Sequence, residues 1–268
     1  MLFARPGKYN PCGIFSLGHF FLLGITLLGI SIALKYTDIT KKSNIKRNIQ
    51  IITILAWILE IIKIVVNFVV GNGDNINTYI PLYYCSILLY AGIFSSIGKD
   101  IIKRIGDVFL ATGAIVGGII FLILPTTSIT MYPIFHYLSL HSFLYHGAML
   151  YIGIIINKSK YIELENKDIV YYFGLLFVMC LSAYIVNNIF DSNLMFISKD
   201  FPESPITIIY KLTGKWFPVI VSLVQMILPF YTVIGIKKVM KKITTKKEER
   251  KVQIDLINKV VEEHMGSK

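Results

Sequence analysis

A cysteine near the start of an apolar stretch is the first residue whose type suggests chemistry. Cys85 lies four positions after Pro81, a residue that favours the first turn of a helix. A thiol with an ordinary pKa of about 8.5 is mostly protonated at neutral pH, and burial raises that pKa further. A nucleophilic cysteine therefore needs a neighbouring base. His141 and His146, on another apolar stretch, could each supply one.

The depths of these residues in a membrane do not decide between the two histidines. Measured from the middle of its own stretch, at about 1.5 Å per residue, Cys85 lies about 4.5 Å toward the outside. His141 lies at nearly the same level, and His146 lies about 3 Å past the centre on the inner side. Depth favours His141 slightly, but helix tilt can produce a difference of this size. Both histidines remain candidates.

Three of the five histidines, His136, His141 and His146, occur in the same stretch. Steps of five residues rotate a side chain by about 140° around a helix, so the three cannot share one face. They are therefore poor joint ligands for one metal ion, and we expect neither a metal nor another cofactor. A single histidine in a membrane more often bonds a neighbouring helix than catalyses a reaction. Three in one stretch favour function, and His136 is a supporting candidate.

An acidic residue in an earlier stretch is a second feature that a membrane penalises. Trp57, Glu60, Lys63 and Asn67 are spaced by three and four residues, which places them on one face of a helix. An ionisable residue at the centre of a membrane costs at least about 2.5 kcal/mol unless it has a partner. Either Glu60 and Lys63 neutralise each other, or Glu60 faces the bundle interior and orients a catalytic or ligand-binding group.

The composition indicates which elements must position these residues. Of 268 residues, 54% are hydrophobic and only 16% are charged, and the mean hydropathy of +0.64 excludes an ordinary water-soluble domain. A helix that crosses about 30 Å of hydrocarbon needs about 20 mostly apolar residues. We therefore predict an all-α, polytopic membrane protein with seven transmembrane helices. The seven stretches are residues 15–34, 49–70, 79–97, 108–124, 132–156, 169–189 and 216–236.

The distribution of basic residues predicts the orientation of these helices. Most of the 27 lysines and arginines fall in the loops after the first, third and fifth stretches and in the C-terminal tail. By the positive-inside rule, the N-terminus is outside and the C-terminus is in the cytoplasm. We predict a seven-helix domain over residues 1–236 in the cell membrane and a basic cytoplasmic tail over residues 237–268.

The tail combines basic residues with apolar residues at helical spacing. Basic residues beside anionic lipid gain about 1 kcal/mol each, and Ile254, Ile257 and Val261 follow the basic run at helical spacing. We expect a partly amphipathic helix that contacts anionic lipid head groups. A membrane, and not nucleic acid, is therefore the expected partner of this charge.

The order of these residues resembles a known family. From about residue 15 to residue 220, the chain resembles the YwaF-like bacterial integral membrane proteins, which are similar to an animal transmembrane acyltransferase family, the transmembrane protein 164-like proteins. The residues that carry the resemblance are His19, Glu60, the run from Pro81 to Cys85, the run from Thr112 to Gly117 followed by Pro125, the pair His146 and Gly147, and Asn187, Asn193 and Met195.

This resemblance implies a seven-helix enzyme that moves a fatty acyl group between phospholipids. Cys85 would be the acyl-accepting nucleophile and His146 its general base. A thioester on Cys85 would pass its acyl group to a lysophospholipid hydroxyl, or to water in a hydrolase. Phospholipids and lysophospholipids would then be the substrates.

Further residues would support this chemistry. An oxyanion needs preorganised hydrogen-bond donors, and the candidates are Tyr84, Asn187, Asn188 and His141. His19 and the segment 190–214, which contains Asn193, would cap the outer side of the site.

Other function classes remain open. Glu60, Lys63 and the histidines could relay protons in a proton-coupled transporter, and a membrane protein that binds a small molecule is a further alternative. A Cys85→Ala variant would separate these classes, because it would abolish lipid turnover only in the enzyme.

Overall fold

The computed structural model of the chain describes residues 1–5, 7–202 and 204–265, with all side chains in these ranges except those of residues 252 and 255–265. The described residues form α-helices and short 3₁₀ turns and contain no β-strand. This confirms the all-α prediction. The helices are α1 (Leu17–Tyr36), α2 (Lys42–Val69), α3 (Ile87–Ile97), α4 (Asp100–Ala111), α5 (Gly113–Ile123), α6 (Tyr137–Lys158), α7 (Ile169–Phe190), α8 (Ile206–Thr213) and α9 (Phe217–Met265).

The chain forms two compact units, Met1–Phe230 and Tyr231–Lys268. All candidate catalytic residues lie in the first unit. In the second unit the side chain of Ile254 is exposed, whereas the side chains of Ile257 and Val261 lie outside those that the structure describes. The amphipathic character of the tail therefore stays a prediction.

Six stretches of helix in the described part of the chain are long and apolar enough to cross a membrane. Their large apolar side chains are exposed on the outside of the molecule, as a lipid solvent requires. The chain is therefore a membrane protein. The six stretches are Leu17–Tyr36, Lys42–Val69, Asp100–Ile123, Tyr137–Lys158, Asn166–Phe190 and Ile206–Lys251.

The third predicted span differs from the prediction. Within residues 79–97 only Ile87–Ile97 is helical, and its 11 residues rise about 16 Å, about half the hydrocarbon thickness. Residues 80–86 have an irregular backbone, to which Pro81 contributes because it has no N–H to donate. A continuous helix over residues 79–97 was therefore the wrong expectation, and a seventh crossing stays a prediction.

The fourth predicted span starts earlier than expected and is bent. α4 and α5 meet at Thr112, whose backbone is not helical. The Thr112 hydroxyl donates to the Val108 carbonyl at 2.6 Å, and the Asn157 side chain of α6 donates to the Ala111 carbonyl at 2.8 Å. These side chains satisfy polar backbone groups near the bend, which a membrane interior otherwise penalises.

α6 is the central helix of the first unit. In its apolar stretch 72% of the residues are buried, against 17% in α1. α1, α2, α4 and α5 all pack against it. A side chain on α6 is therefore surrounded by protein, and this is where the sequence places three histidines.

An ion pair joins α4 to the start of α7. The Arg104 guanidinium donates to both oxygens of the Asp168 carboxylate, at 3.0 and 2.6 Å, and also to the Glu163 carbonyl at 2.7 Å. Asp168 is buried and forms a capping box with Glu165 at this helix start. The two helices are thus fixed to each other at the end opposite the candidate site.

Candidate functional site

Cys85 lies at the end of the irregular segment, immediately before Ser86, the N-cap residue of α3. Its side chain is half-buried, and its thiol is not in a disulfide. The neighbouring Ser86 is buried.

Residues distant in sequence satisfy the backbone carbonyls of the irregular segment. The Tyr145 hydroxyl of α6 donates to the Cys85 carbonyl at 3.4 Å, and the Tyr90 hydroxyl donates to the Pro81 carbonyl at 3.2 Å. The Met195 N–H donates to the Leu82 carbonyl at 3.1 Å. Non-helical backbone at membrane depth is tolerated where protein groups satisfy it in this way. These bonds hold Cys85 against α6.

His146 has a defined tautomer. Its Nδ1 lies 2.7 Å from the Ser142 carbonyl, which can only accept, so Nδ1 carries the proton. In the neutral ring, Nε2 therefore keeps its lone pair, as a general base requires. The ring stacks on Phe121 of α5 with a centroid separation of 3.7 Å. It also meets the Tyr145 ring in an edge-to-face arrangement, with the two centroids 5.8 Å apart. Phe121 and Ser142 together fix the plane of the imidazole.

Glycines on α5 permit this close packing. A Cβ atom on Gly118 would lie 2.9 Å from the His146 carbonyl oxygen, and one on Gly117 would lie 2.9 Å from the Tyr84 ring. Both distances are shorter than a Cβ contact tolerates. α5 can therefore approach His146 and the segment before Cys85 because these positions have no side chain.

His141 is buried, and neither of its ring nitrogens makes a hydrogen bond to a described residue. The Leu59 carbonyl of α2 lies beside the ring but outside hydrogen-bonding geometry. Tyr137 and Tyr145, one turn away on either side, flank the ring at centroid distances of 5.8 and 5.7 Å. A buried polar ring without a hydrogen-bond partner among the described residues is a candidate for binding a polar group that the chain itself does not supply.

Glu60 and Lys63 form an ion pair with a 2.5 Å separation. The Glu60 side chain is 3% exposed and the Lys63 side chain 20% exposed. Mutual neutralisation, one of the two sequence interpretations, is therefore what the structure has. The second interpretation, in which Glu60 orients a catalytic or binding group, stays a prediction.

α6 carries His141 and His146 and packs against α2, which carries Glu60, and Tyr145 of α6 donates to the Cys85 carbonyl. Among the described residues no hydrogen bond joins the Cys85 thiol to either imidazole. Catalytic hydrogen bonds are often long before substrate binds and shorten in the complex. The described residues therefore contain no preformed dyad of Cys85 with either histidine.

His19 and His136 have structural roles elsewhere. The Phe15 N–H donates to Nδ1 of His19 at 3.1 Å, and its Nε2 lies 3.0 Å from the Leu122 carbonyl, so this ring ties α1 to α5. His136 is the N-cap of α6: it accepts from the Leu138 N–H at 3.1 Å, and its Nε2 lies 3.1 Å from the Ala4 carbonyl. Both nitrogens of each ring are therefore engaged in hydrogen bonds.

The amide candidates Asn187 and Asn193 organise the loop after α7. The Asn187 side chain donates to Leu194 and Ser198 and accepts from Ser192 and the Leu194 N–H. Asn193 accepts from the N–H groups of Ser198 and Lys199. This loop covers the irregular segment through the Met195–Leu82 hydrogen bond and through Phe196, whose ring lies 5.1 Å from that of Tyr83.

Tyr84 lies next to Cys85, but its hydroxyl faces another helix. It lies 2.7 Å from the Tyr172 hydroxyl of α7 and donates to the Gly113 carbonyl at 3.3 Å. The Asn188 side chain is exposed and donates to Tyr184. Tyr84, Asn187 and Asn188 are thus engaged in bonds of their own, whereas His141 is the oxyanion candidate whose donor has no partner.

Sequence reasoning missed several aromatic residues of this neighbourhood. Tyr137 and Tyr145 lie four residues before and after His141, a spacing that places all three on one helix face and could have been noticed. Phe121 carries no such signal, because its contact with His146 arises only when α5 packs on α6. Among the described residues, no three His, Cys, Asp or Glu side chains are arranged to hold a metal ion.

The comparisons with known proteins complete the description. No curated protein and no solved structure matches the chain. The model of the TMEM164 family matches residues 14–235. This range contains the irregular segment with Cys85 and the central helix with His146. The chain therefore belongs to the TMEM164 family.

Proposed function

We propose that this protein is a membrane-embedded lipid acyltransferase or lipid hydrolase in which Cys85 is the nucleophile and His146 the general base. One observation carries the proposal. His146 commits its Nδ1 proton to the Ser142 carbonyl, which leaves Nε2 as a base, and the neighbouring Tyr145 bonds the backbone of Cys85 itself. These bonds support the proposal because they give α6 a base with a fixed tautomer, one residue after the tyrosine that bonds the Cys85 backbone.

The chemistry would proceed in two balanced steps. Nε2 of His146 removes the thiol proton, and the thiolate sulfur attacks the ester carbonyl of a phospholipid. The C–S bond forms, the ester C–O bond breaks, and the same imidazolium returns the proton to the departing lysophospholipid oxygen. In the second step a lysophospholipid hydroxyl, or water, loses its proton to Nε2 and attacks the thioester, and the sulfur leaves with that proton.

The loop after α7 would separate this reaction from water. Met195 and Phe196 contact the segment just before Cys85, and the side chain of Asn187 holds the loop in place. A covering loop of this kind favours transfer over hydrolysis because it limits the access of water to the thioester.

Turnover in nanodiscs tests the proposal. Purified protein would receive a phospholipid with a labelled acyl group and an unlabelled lysophospholipid, and labelled products would be quantified. Cys85→Ala should abolish turnover and His146→Gln should lower it by about 10² to 10⁴-fold, whereas Cys180→Ala, at a buried thiol of α7, should not. If the protein is a transporter, the Cys85→Ala substitution should not change lipid turnover and should impair solute uptake instead.

The proposal includes the topology predicted from charge. Seven crossings would place the N-terminus outside the cell membrane and the C-terminus in the cytoplasm, with the irregular segment and α3 together forming the third crossing. Single cysteines in a cysteine-free background test this with a membrane-impermeant maleimide. Lys199→Cys should react in intact cells, whereas Lys160→Cys and Lys246→Cys should react only after permeabilisation.

The basic tail would contact anionic lipid. The described side chains between residues 239 and 251 are exposed, and they include five lysines and one arginine. Each would gain about 1 kcal/mol beside an anionic surface. Amide hydrogen exchange in residues 239–251 should be slower in nanodiscs that contain phosphatidylglycerol than in pure phosphatidylcholine, and glutamine at Lys241, Lys242, Lys246 and Lys247 should remove the difference.

A further inference from the structure

Several buried donor groups without partners lie on α2, which carries the Glu60–Lys63 ion pair, and on α6, which packs against it. Among the described residues, Nε1 of Trp57, the hydroxyl of Tyr137 and both ring nitrogens of His141 are buried and make no hydrogen bond. Each buried polar atom that lacks a partner costs about 1–3 kcal/mol. Three side chains in one region, on two facing helices, indicate a binding site and not three separate defects.

A ring contact joins two of these side chains, and the third lies on the helix α2 that packs against α6. Tyr137 and His141 are successive turns of α6, with ring centroids 5.8 Å apart. Trp57 lies one turn before Glu60 on α2, and its ring meets the Tyr90 ring at 6.1 Å. Tyr137 packs against a cluster that contains Val66, one turn after Lys63 on α2. Lys63 and the two α6 donors therefore lie at the contact between α2 and α6.

The chemistry of these groups defines the ligand. An indole N–H only donates, a neutral imidazole donates once, and a tyrosine hydroxyl donates and accepts. The Lys63 ammonium has three donors, and in the described part of the chain its only acceptor is Glu60. The set has more donors than acceptors, so the matching ligand is rich in acceptors. A phosphodiester, with two charged oxygens, accepts from more donors than an ester carbonyl can.

The position of His141 relates this site to the thiol. Tyr145, one turn after His141 on α6, donates its hydroxyl to the Cys85 carbonyl at 3.4 Å. The Lys63 side chain is 20% exposed, so a head group can reach it from outside the bundle. In a phospholipid the phosphate is only a few bonds from the acyl esters. A phosphate bound by Lys63 and His141 would therefore leave an ester near Cys85.

We propose that Trp57, Lys63, Tyr137 and His141 form a subsite for the phosphodiester of the phospholipid substrate, an assignment that rests on the proposed lipid chemistry at Cys85. Glu60 holds the Lys63 ammonium in place, and the donors of Trp57, Tyr137 and His141 complete the coordination of the phosphate oxygens. The subsite thus makes the protein selective for phospholipids over uncharged glycerides.

A binding experiment tests the subsite separately from catalysis. Trp57 and Trp216 are the two tryptophans of the chain, so in a Trp216→Phe, Cys85→Ala background the emission reports Trp57 alone and no turnover occurs. Dioleoyl phosphatidylglycerol, dioleoylglycerol and inorganic phosphate would each be titrated into the protein in detergent micelles. We expect the phospholipid to change the Trp57 emission in a saturable way. Half of this change should occur at a concentration at least tenfold lower than with dioleoylglycerol.

The variants are chosen to keep the fold intact. Lys63→Met alone would leave the Glu60 carboxylate buried without a partner, so the neutral pair Glu60→Gln with Lys63→Met is used. This pair should weaken phospholipid binding at least tenfold, and Tyr137→Phe should weaken it severalfold. Neither should change the binding of dioleoylglycerol. Lys35→Met, at an exposed lysine in the last turn of α1, is the matched control and should bind phospholipid normally.

The outcomes separate the subsite from the reaction. Equal binding of dioleoylglycerol and phospholipid, or unchanged phospholipid binding in the neutral pair variant, would overturn the phosphodiester assignment. Inorganic phosphate that gives the same response as the phospholipid would show a free-anion site and overturn the lipid assignment. A Cys85→Ala protein that still turns over lipid would overturn the catalytic proposal while leaving the binding result in place.

Discussion

Replacing Arg104 with methionine should strongly destabilise the protein. Arg104 is the cation that faces Asp168, a carboxylate that is 1% exposed, and its guanidinium bonds both carboxylate oxygens at 3.0 and 2.6 Å. Without Arg104, the remaining partner of that carboxylate in the described residues is the Glu165 N–H at 2.8 Å. A methionine of similar length fills the space but leaves the charge uncompensated.

The magnitude follows from the burial of Asp168. Removing one partner of a buried ion pair costs about 3–5 kcal/mol. For a chain of this size, each kcal/mol lowers the melting midpoint by about 2–4 °C, so the midpoint should fall by about 6–20 °C. The melting midpoint of Arg104→Lys should lie between those of Arg104→Met and the parent protein, because lysine keeps the charge but cannot form the bidentate hydrogen bond.

A neighbouring ion pair supplies the control. Lys167 and Glu165 also pair, at 2.9 Å, but their side chains are 74% and 56% exposed. Exposed pairs contribute little, so Lys167→Met should leave the midpoint unchanged. The assay is thermal unfolding of the purified protein in one detergent, followed by tryptophan fluorescence. Equal midpoints for Arg104→Met and Lys167→Met would refute the assignment of Arg104–Asp168 as the buried tie between α4 and α7.

Two further predictions concern packing and the loop after α7. Gly106→Ala should cost about 1–3 kcal/mol in thermal unfolding, because its Cβ would lie 2.4 Å from the Ala91 carbonyl oxygen. A Cβ on Gly174 would have no atom within 4 Å, so Gly174→Ala should be neutral or stabilise the helix by up to about 1 kcal/mol. A Gly106→Ala protein more stable than the Gly174→Ala protein would contradict the packing of α3 on α4. Asn187→Ala should speed amide exchange in residues 191–199 at least tenfold, because it removes four hydrogen bonds within that loop. Asn188→Ala, at an exposed side chain bonded only within α7, should not, and equal effects would argue against Asn187 as the loop anchor.

Local patterns were enough to predict much of this architecture. Apolar stretches of about 20 residues located six membrane-length helices, because a membrane imposes a length on every helix that crosses it. The pairing of Glu60 with Lys63 also follows from spacing alone, since residues three apart lie on one helix face.

Contacts between distant residues were beyond such patterns. The apolar run over residues 79–97 resembles a complete span, yet residues 80–86 leave the helix because Tyr145 and Met195 satisfy their carbonyls. Nothing in the local sequence reports those partners. The roles of His19 and His136 were hidden for the same reason, since the Leu122 and Ala4 carbonyls that they face are more than 100 residues away.

The acyl state of Cys85 tests the central claim most directly. Purified protein would be incubated with a phospholipid that carries an isotope-labelled acyl group, quenched in acid, digested and analysed by mass spectrometry. The account predicts a hydroxylamine-sensitive acyl group on Cys85, little on Cys12 or Cys180, and at least a hundredfold less on Cys85 in the His146→Gln variant. Lipid turnover by a protein whose Cys85 never carries the label, or equal labelling with and without His146, would contradict it.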